Sequence, residues 1–191
     1  MKYLPSSLTI NYSSTLPVTV AEAKAHLRVT DSSEDALIEL YLRAAIRRVE
    51  QHCGISLLSS TVTEIFPSFP DEMQPFDLSV QPATAVSSLS YNTTDSTGTF
   101  TTIASANYVT EFDHNKAQIK PVTSWDYDGT VLQVRAIYTA GYTNAAAVPA
   151  NLKVAILLIL GDFYENRTDA DAVQLNRAAI ALMQPYLVER Y

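Results

Sequence analysis

A single cysteine, Cys53, rules out an internal disulfide, so nothing in the chain calls for an oxidising compartment. Glycine is also scarce, at five residues, and none falls in a loop pattern that would cradle a phosphate. Charged residues make up only 17% of the chain, below the usual share of about a quarter. Basic residues are the scarcer sign: 13 Lys and Arg stand against 20 Asp and Glu, for a net charge of -7. Such a chain repels nucleic acid on average, and no basic patch offsets this, which argues against a sequence-reading DNA regulator. Long apolar runs are missing as well. The longest, Val154 to Leu160, is far short of the ~20 residues a membrane helix needs. The opening MKYLPSSLTI lacks the apolar run of a signal peptide, and the expectation is a soluble protein made in a cytoplasm.

Catalytic patterns are equally thin. There is no G-x-S-x-G, and Cys53 neighbours His52 within a helical segment, where adjacent side chains point about 100° apart and form no reactive pair. His26, His52 and His114 have no partners at ligand spacing, which reads as surface or helix-end histidines rather than a metal centre. Asp126, Asp128 and Gly129 imitate the start of a calcium loop, but Val131, Leu132 and Val134 stand where further ligands belong, so a turn between strands is the better reading. The expectation is a non-enzyme with no catalytic residue, no cofactor and no metal.

What is present is core material, with 47% hydrophobic residues. Thr19 and Glu22 have the spacing of a capping box and open a short helix to about Val29. A second helix runs from about Ser33 to Cys53, with Gly54 as its stop. Its polar stripe is narrow (Glu39, Arg43, Arg47, Glu50), while Leu37, Ile38, Leu40, Tyr41, Leu42, Ala45, Ile46 and Val49 cover most of the circumference. That is more apolar surface than one core requires. From Ile55 to Tyr142 the helical period gives way to Ser, Thr, Val and Tyr. Candidate strands there are Thr61–Phe66, Phe76–Val80, Val86–Tyr91, Thr99–Ile103, Tyr108–Phe112, Gln118–Pro121 and Val131–Thr139. After Pro149 comes a helix apolar nearly all round, expected to be central and buried. A last helix runs from about Ala172 towards Leu187, with Pro185 loosening its final turn.

The expected class is α+β: a discontinuous bundle of about four helices drawn from both chain ends, with an inserted antiparallel β module. The expected division is a helical core of residues 17–55 and 144–191, a β module of 56–143, and an N-terminal arm of 1–16. Arg43, Arg47 and Arg48 cluster on the second helix near Tyr41. They form either a solvated face, with Glu39 pairing Arg43, or a contact for another subunit or partner.

A family resemblance emerges from the order of specific segments. Pro17-Val18-Thr19-Val20-Ala21-Glu22-Ala23-Lys24-Ala25-His26-Leu27-Arg28-Val29 precedes Glu34-Asp35-Ala36-Leu37-Ile38. Tyr138-Thr139-Ala140-Gly141-Tyr142, Val148-Pro149-Ala150-Asn151-Leu152-Lys153 and Tyr164-Glu165-Asn166-Arg167 follow. This arrangement, spanning Pro17 to Tyr191, resembles the head–tail connector (head-completion adaptor) proteins of tailed bacteriophages. The resemblance implies a structural subunit of the virion neck, assembled in the host cytoplasm. It further implies a homo-oligomeric ring, commonly dodecameric in the particle and in many members monomeric when free. The ring would sit beneath the portal protein, extend a channel through which DNA passes non-specifically, and dock the next neck or tail-completion protein, with no membrane involved. By the same analogy the segment after Asn166 is the candidate portal contact, and within it Tyr186 and Arg190 are candidate subunit or partner contacts.

A rival reading is a small-ligand or glycan-binding module, with Tyr91, Tyr108, Trp125, Tyr127 and Tyr138 available for stacking.

Overall fold

The computed structural model describes residues 4–71, 73–93, 98–113, 116–125, 131–166 and 176–188. The chain divides into two compact units. One holds Ser13–Leu58 and Tyr142–Leu187; the other holds the segment up to Tyr12, Ser59–Gly141 and Val188.

The first unit is helical, with α1 at Val20–Leu27, α2 at Asp35–Cys53, α3 at Ala150–Glu165 and α4 at Arg177–Met183. Thr19 caps α1 by the expected capping box: the Glu22 N–H donates to Thr19 Oγ1 at 3.2 Å, and the Thr19 N–H donates back to Glu22 Oε2 at 2.7 Å. Gly54 ends α2 in the left-handed region at φ 72°, where a side chain is strained. On α2 the buried residues Ile38, Leu42, Ala45, Ile46, Val49 and Cys53 recur at helical spacing and make one stripe. It packs on α3, which also touches α1 and α4. The Tyr164 hydroxyl hydrogen-bonds Glu34 and ties the end of α3 to the start of α2. Lys24 on α1 reaches Asp35 Oδ1 at 2.5 Å.

The central place of α3 is as expected, but its full burial is not. Leu152, Ala155, Ile156, Ile159 and Leu160 are buried on one side, whereas Val154 is 44% exposed and Leu157 and Leu158 are only partly covered. Three helices do not enclose a fourth on every side. Pro185 falls in a single 3-10 turn, Gln184–Tyr186, directly after α4. Proline has no N–H with which to continue an α-helical ladder. Of the expected last helix, residues 172–175 lie outside the described residues.

The second unit is built of β1 (Ser7–Asn11), β2 (Ser60–Phe66), β3 (Phe76–Leu78), β4 (Ala83–Asn92), β5 (Thr101–Thr102), β6 (Tyr108–Asp113), β7 (Lys116–Pro121) and β8 (Gln133–Ala140). Five strands form one sheet in the order β1-β2-β8-β4-β5, and three form another in the order β3-β7-β6. Every pairing is antiparallel. The strict alternation of β8 buries Val134, Ala136, Tyr138 and Ala140, joined in one core by Val62 and Phe66 of β2, Phe76 and Leu78 of β3, and Ala117 and Ile119 of β7. The α+β class expected from the sequence is the observed one.

The N-terminal segment differs from expectation. Residues 7–11, assigned to an arm, form β1 at the edge of the five-stranded sheet, with Thr9 opposite Thr63 and Asn11 opposite Thr61. Only Ile10 packs against the core, so this strand lacks the alternation that marks β8.

Candidate assembly surface

The exposed side of α2 carries most of the residues singled out by sequence. Arg43 pairs with Glu39 one turn earlier at 2.7 Å, with both side chains close to half exposed. Arg47 is partly exposed and pairs with Glu50. Arg48 is partly covered. Tyr41 is also partly covered, its ring meeting that of Phe163 at a centroid distance of 6.5 Å. Tyr186 lies in the turn after α4 and is partly covered. Arg190 lies outside the described residues.

One member of the expected polar stripe is not on the surface. Glu50 is 4% exposed. Its Oε1 accepts the Leu57 N–H at 2.9 Å, and Oε2 takes the Arg47 guanidinium. Burial raises its pKa above the ordinary glutamate value, partly opposed by the Leu57 hydrogen bond and by Arg47. Glu50 therefore fixes the chain as it leaves α2, and Arg47 reaches the surface from a buried anchor. A helical wheel places Glu50 on the polar stripe, but no wheel records an N–H seven residues ahead. Conversely, Leu40, counted in the apolar set, is 63% exposed, with Ala36 and Ala44 exposed one turn to either side. The outer side of α2 is thus an apolar strip bordered by the Glu39–Arg43 pair.

The β unit holds a buried polar pin that the sequence analysis did not single out. Glu64 points inward between Val62 and Phe66 and is fully buried. Its Oε1 accepts from the Tyr138 hydroxyl at 2.7 Å and from the Ser79 N–H at 2.9 Å, while the Tyr138 oxygen accepts the Val80 N–H at 3.1 Å. Burial first, then the nearby Glu64, pushes the Tyr138 hydroxyl well above the usual tyrosine pKa. The available signal was an acidic residue at an inward-facing strand position.

The aromatic residues offered for stacking are used inside the unit. Trp125 stacks on Phe69 at 5.1 Å and 13°, touches Phe76, and donates its Nε1–H to the Gln74 carbonyl at 2.8 Å. Tyr138 is fully buried, and Tyr91 and Tyr108 pack against the same core. Tyr127 lies outside the described residues. The described rings among them thus serve the packing of the β unit.

Among the described residues no group of three or more His, Cys, Asp and Glu is arranged to hold a metal ion, and no helix is long and apolar enough to cross a membrane. Cys53 is buried, and its thiol is pushed up to about 11 by desolvation, far from the reactive thiolate range. Asp126, Asp128 and His114 lie outside the described residues.

Solved structures identify an assembly in which this two-unit fold occurs. The neck of an empty gene transfer agent particle, computed with C6 symmetry, contains a chain matching this one at TM-score 0.78 and 25% identity over 96% of this chain and 97% of that one. A native gene transfer agent virion matches at TM-score 0.75 and 26% identity. The neck of the native particle, computed with C12 symmetry, matches at 0.74 and 25%. Both cover the same shares of each chain. None of the curated proteins matches the sequence. The pattern of the phage gp6-like head-tail connector protein family matches residues 17–122, and this chain belongs to that family. It is a structural protein of the virion, at the junction of head and tail.

Proposed function

We propose that the chain is one subunit of a closed homo-oligomeric ring in the neck, seated beneath the portal protein and receiving the next neck or tail-completion protein on its other side. The carrying observation is the match over nearly the whole chain to necks computed with C6 and C12 symmetry. Twelve copies in the particle is the count that the C12 neck favours. A cyclic ring needs two different, complementary surfaces on each subunit. The strip around Leu40, with Tyr41, Arg43, Arg47 and Arg48, is the proposed lateral surface. Tyr186 and Arg190 are the proposed portal contacts. The net charge of -7 suits a channel through which DNA slides, because a wall that attracted phosphates would hold it. Neither a cofactor nor a catalytic step is part of this function.

Native mass measurement and electron microscopy of the chain, alone and mixed with portal-bearing particles, test the proposal. Rings in either preparation are the expected result. A chain that never joins such particles and never closes into a ring would refute it.

A further inference from the structure

Strand β1 reaches its sheet in an unusual way. The chain begins in the β unit, enters the helical unit at Ser13 and returns only at Ser59. Within the sheet β1 has one neighbour, β2. The ties are the paired register from Ser7 opposite Ile65 to Asn11 opposite Thr61, and two bonds from Ser6, whose N–H and hydroxyl both donate to the Ile65 carbonyl at 2.7 and 2.9 Å. Ser7, Leu8, Thr9 and Asn11 are exposed, so little apolar area holds the strand where it is. No charged residue occurs between Tyr3 and Ala21. Other open edges are guarded in the usual ways. Strand β4 is bent by register shifts in its pairing with β8 at Ala83/Ala85 and Val86/Ser88, and β6 carries Glu111 and Asp113. Strand β1 itself has neither device.

We propose that β1 is exchanged between copies, so that in the assembled ring each chain's Ser7–Asn11 lies on β2 of the next copy in the register it takes on its own. This inference rests on the ring proposed above. Exchange keeps the same backbone bonds, so it costs few contacts. When every chain donates forward and receives from behind, the contact is heterologous and runs round a ring, whereas a reciprocal swap would close at two copies. The connection from Tyr12 to Leu16 supplies the reach: these five residues lie between β1 and the buried Pro17 and Val18 that lead into the cap of α1, and they extend to at most ~18 Å. Within it the Thr15 N–H donates to Ser13 Oγ at 3.2 Å. A weak edge strand thereby becomes a tether between neighbours.

Register makes the test direct. Thr9→Cys with Thr63→Cys, in a Cys53→Ala background, places two thiols opposite each other. The full chain is assembled into particles, mildly oxidised and run on a non-reducing denaturing gel, with the single-cysteine variants as controls. Asn11→Cys with Thr61→Cys is a second, independent pair. A ladder of covalently linked multimers, with most of the chain above monomer size, is expected for both pairs. Links confined to monomers in particles that still hold rings overturn the exchange and leave the ring intact. Internal links with no ring from the unsubstituted chain remove both proposals. No link at either pair contradicts the β1–β2 pairing and overturns the exchange as well.

Discussion

Glu50 carries the clearest consequence at the scale of single residues. Its carboxylate is buried and accepts from both the Leu57 N–H and Arg47. Glu50→Ala leaves a buried donor without a partner, at a cost of about 1–3 kcal/mol, measurable as a lower urea midpoint at unchanged slope. The pH dependence has a definite sign. Because the folded pKa is raised, mainly by burial, the folded state holds the proton at pH values where the unfolded state has released it. The contribution of this group is therefore greatest below the ordinary glutamate value and declines as pH rises from there to the raised folded value. Relative to Glu50→Gln, unfolding free energy should fall over that window and level off above it; a flat difference would contradict the raised pKa. Cys53 gives a second expectation. With its thiol pushed up to about 11, native protein at pH 8 should react with a thiol reagent at least about a hundredfold more slowly than unfolded protein. Burial of Cys53 is legible from its helical spacing behind Ile46 and Val49. The inward turn of Glu50 is not, since its partner is a backbone group brought close only by the fold.

Helix boundaries were more legible than helix environments. The box of Thr19 and Glu22 and the stop at Gly54 depend on a few neighbouring residues, and both stand where the sequence placed them. Thr19→Ala should cost about 1 kcal/mol by removing the cap on α1, and Gly54→Ala about 1–2 kcal/mol by forcing a side chain into the left-handed region. Chemical denaturation of the two variants checks both. If Gly54→Ala were neutral, α2 would have to end by another route. The cover around α3 depends on which elements reach it, and an apolar circumference alone does not reveal that. Strands followed the same logic. β8 was readable because one face meets the core at every second residue, whereas β1 was missed because an edge strand rich in Ser and Thr has almost no buried face to print on the sequence.

At the scale of the whole molecule, the return of the helical period after Tyr142 was the legible sign that the two chain ends share a fold, because α2 and α3 each carry an apolar stripe that needs the other. What no sequence pattern could separate is the part of an apolar helix that its own chain covers from the part it leaves open. Leu40 decides that distinction, being 63% exposed in the middle of a helix whose other large aliphatic residues are covered or partly covered. Leu40→Asp should therefore leave the isolated chain within about 0.5 kcal/mol of its original stability, as exposed substitutions usually do. In a ring the same change acts at every junction. Covering a leucine stabilises a contact by about 1.5–3 kcal/mol, whereas covering an unpaired carboxylate costs several kcal/mol. The variant should then fold, as judged by its thermal transition, but fail to appear in rings or particles by electron microscopy. Particles carrying a full complement of the variant would move the lateral contact away from α2, even with the family and the ring still standing.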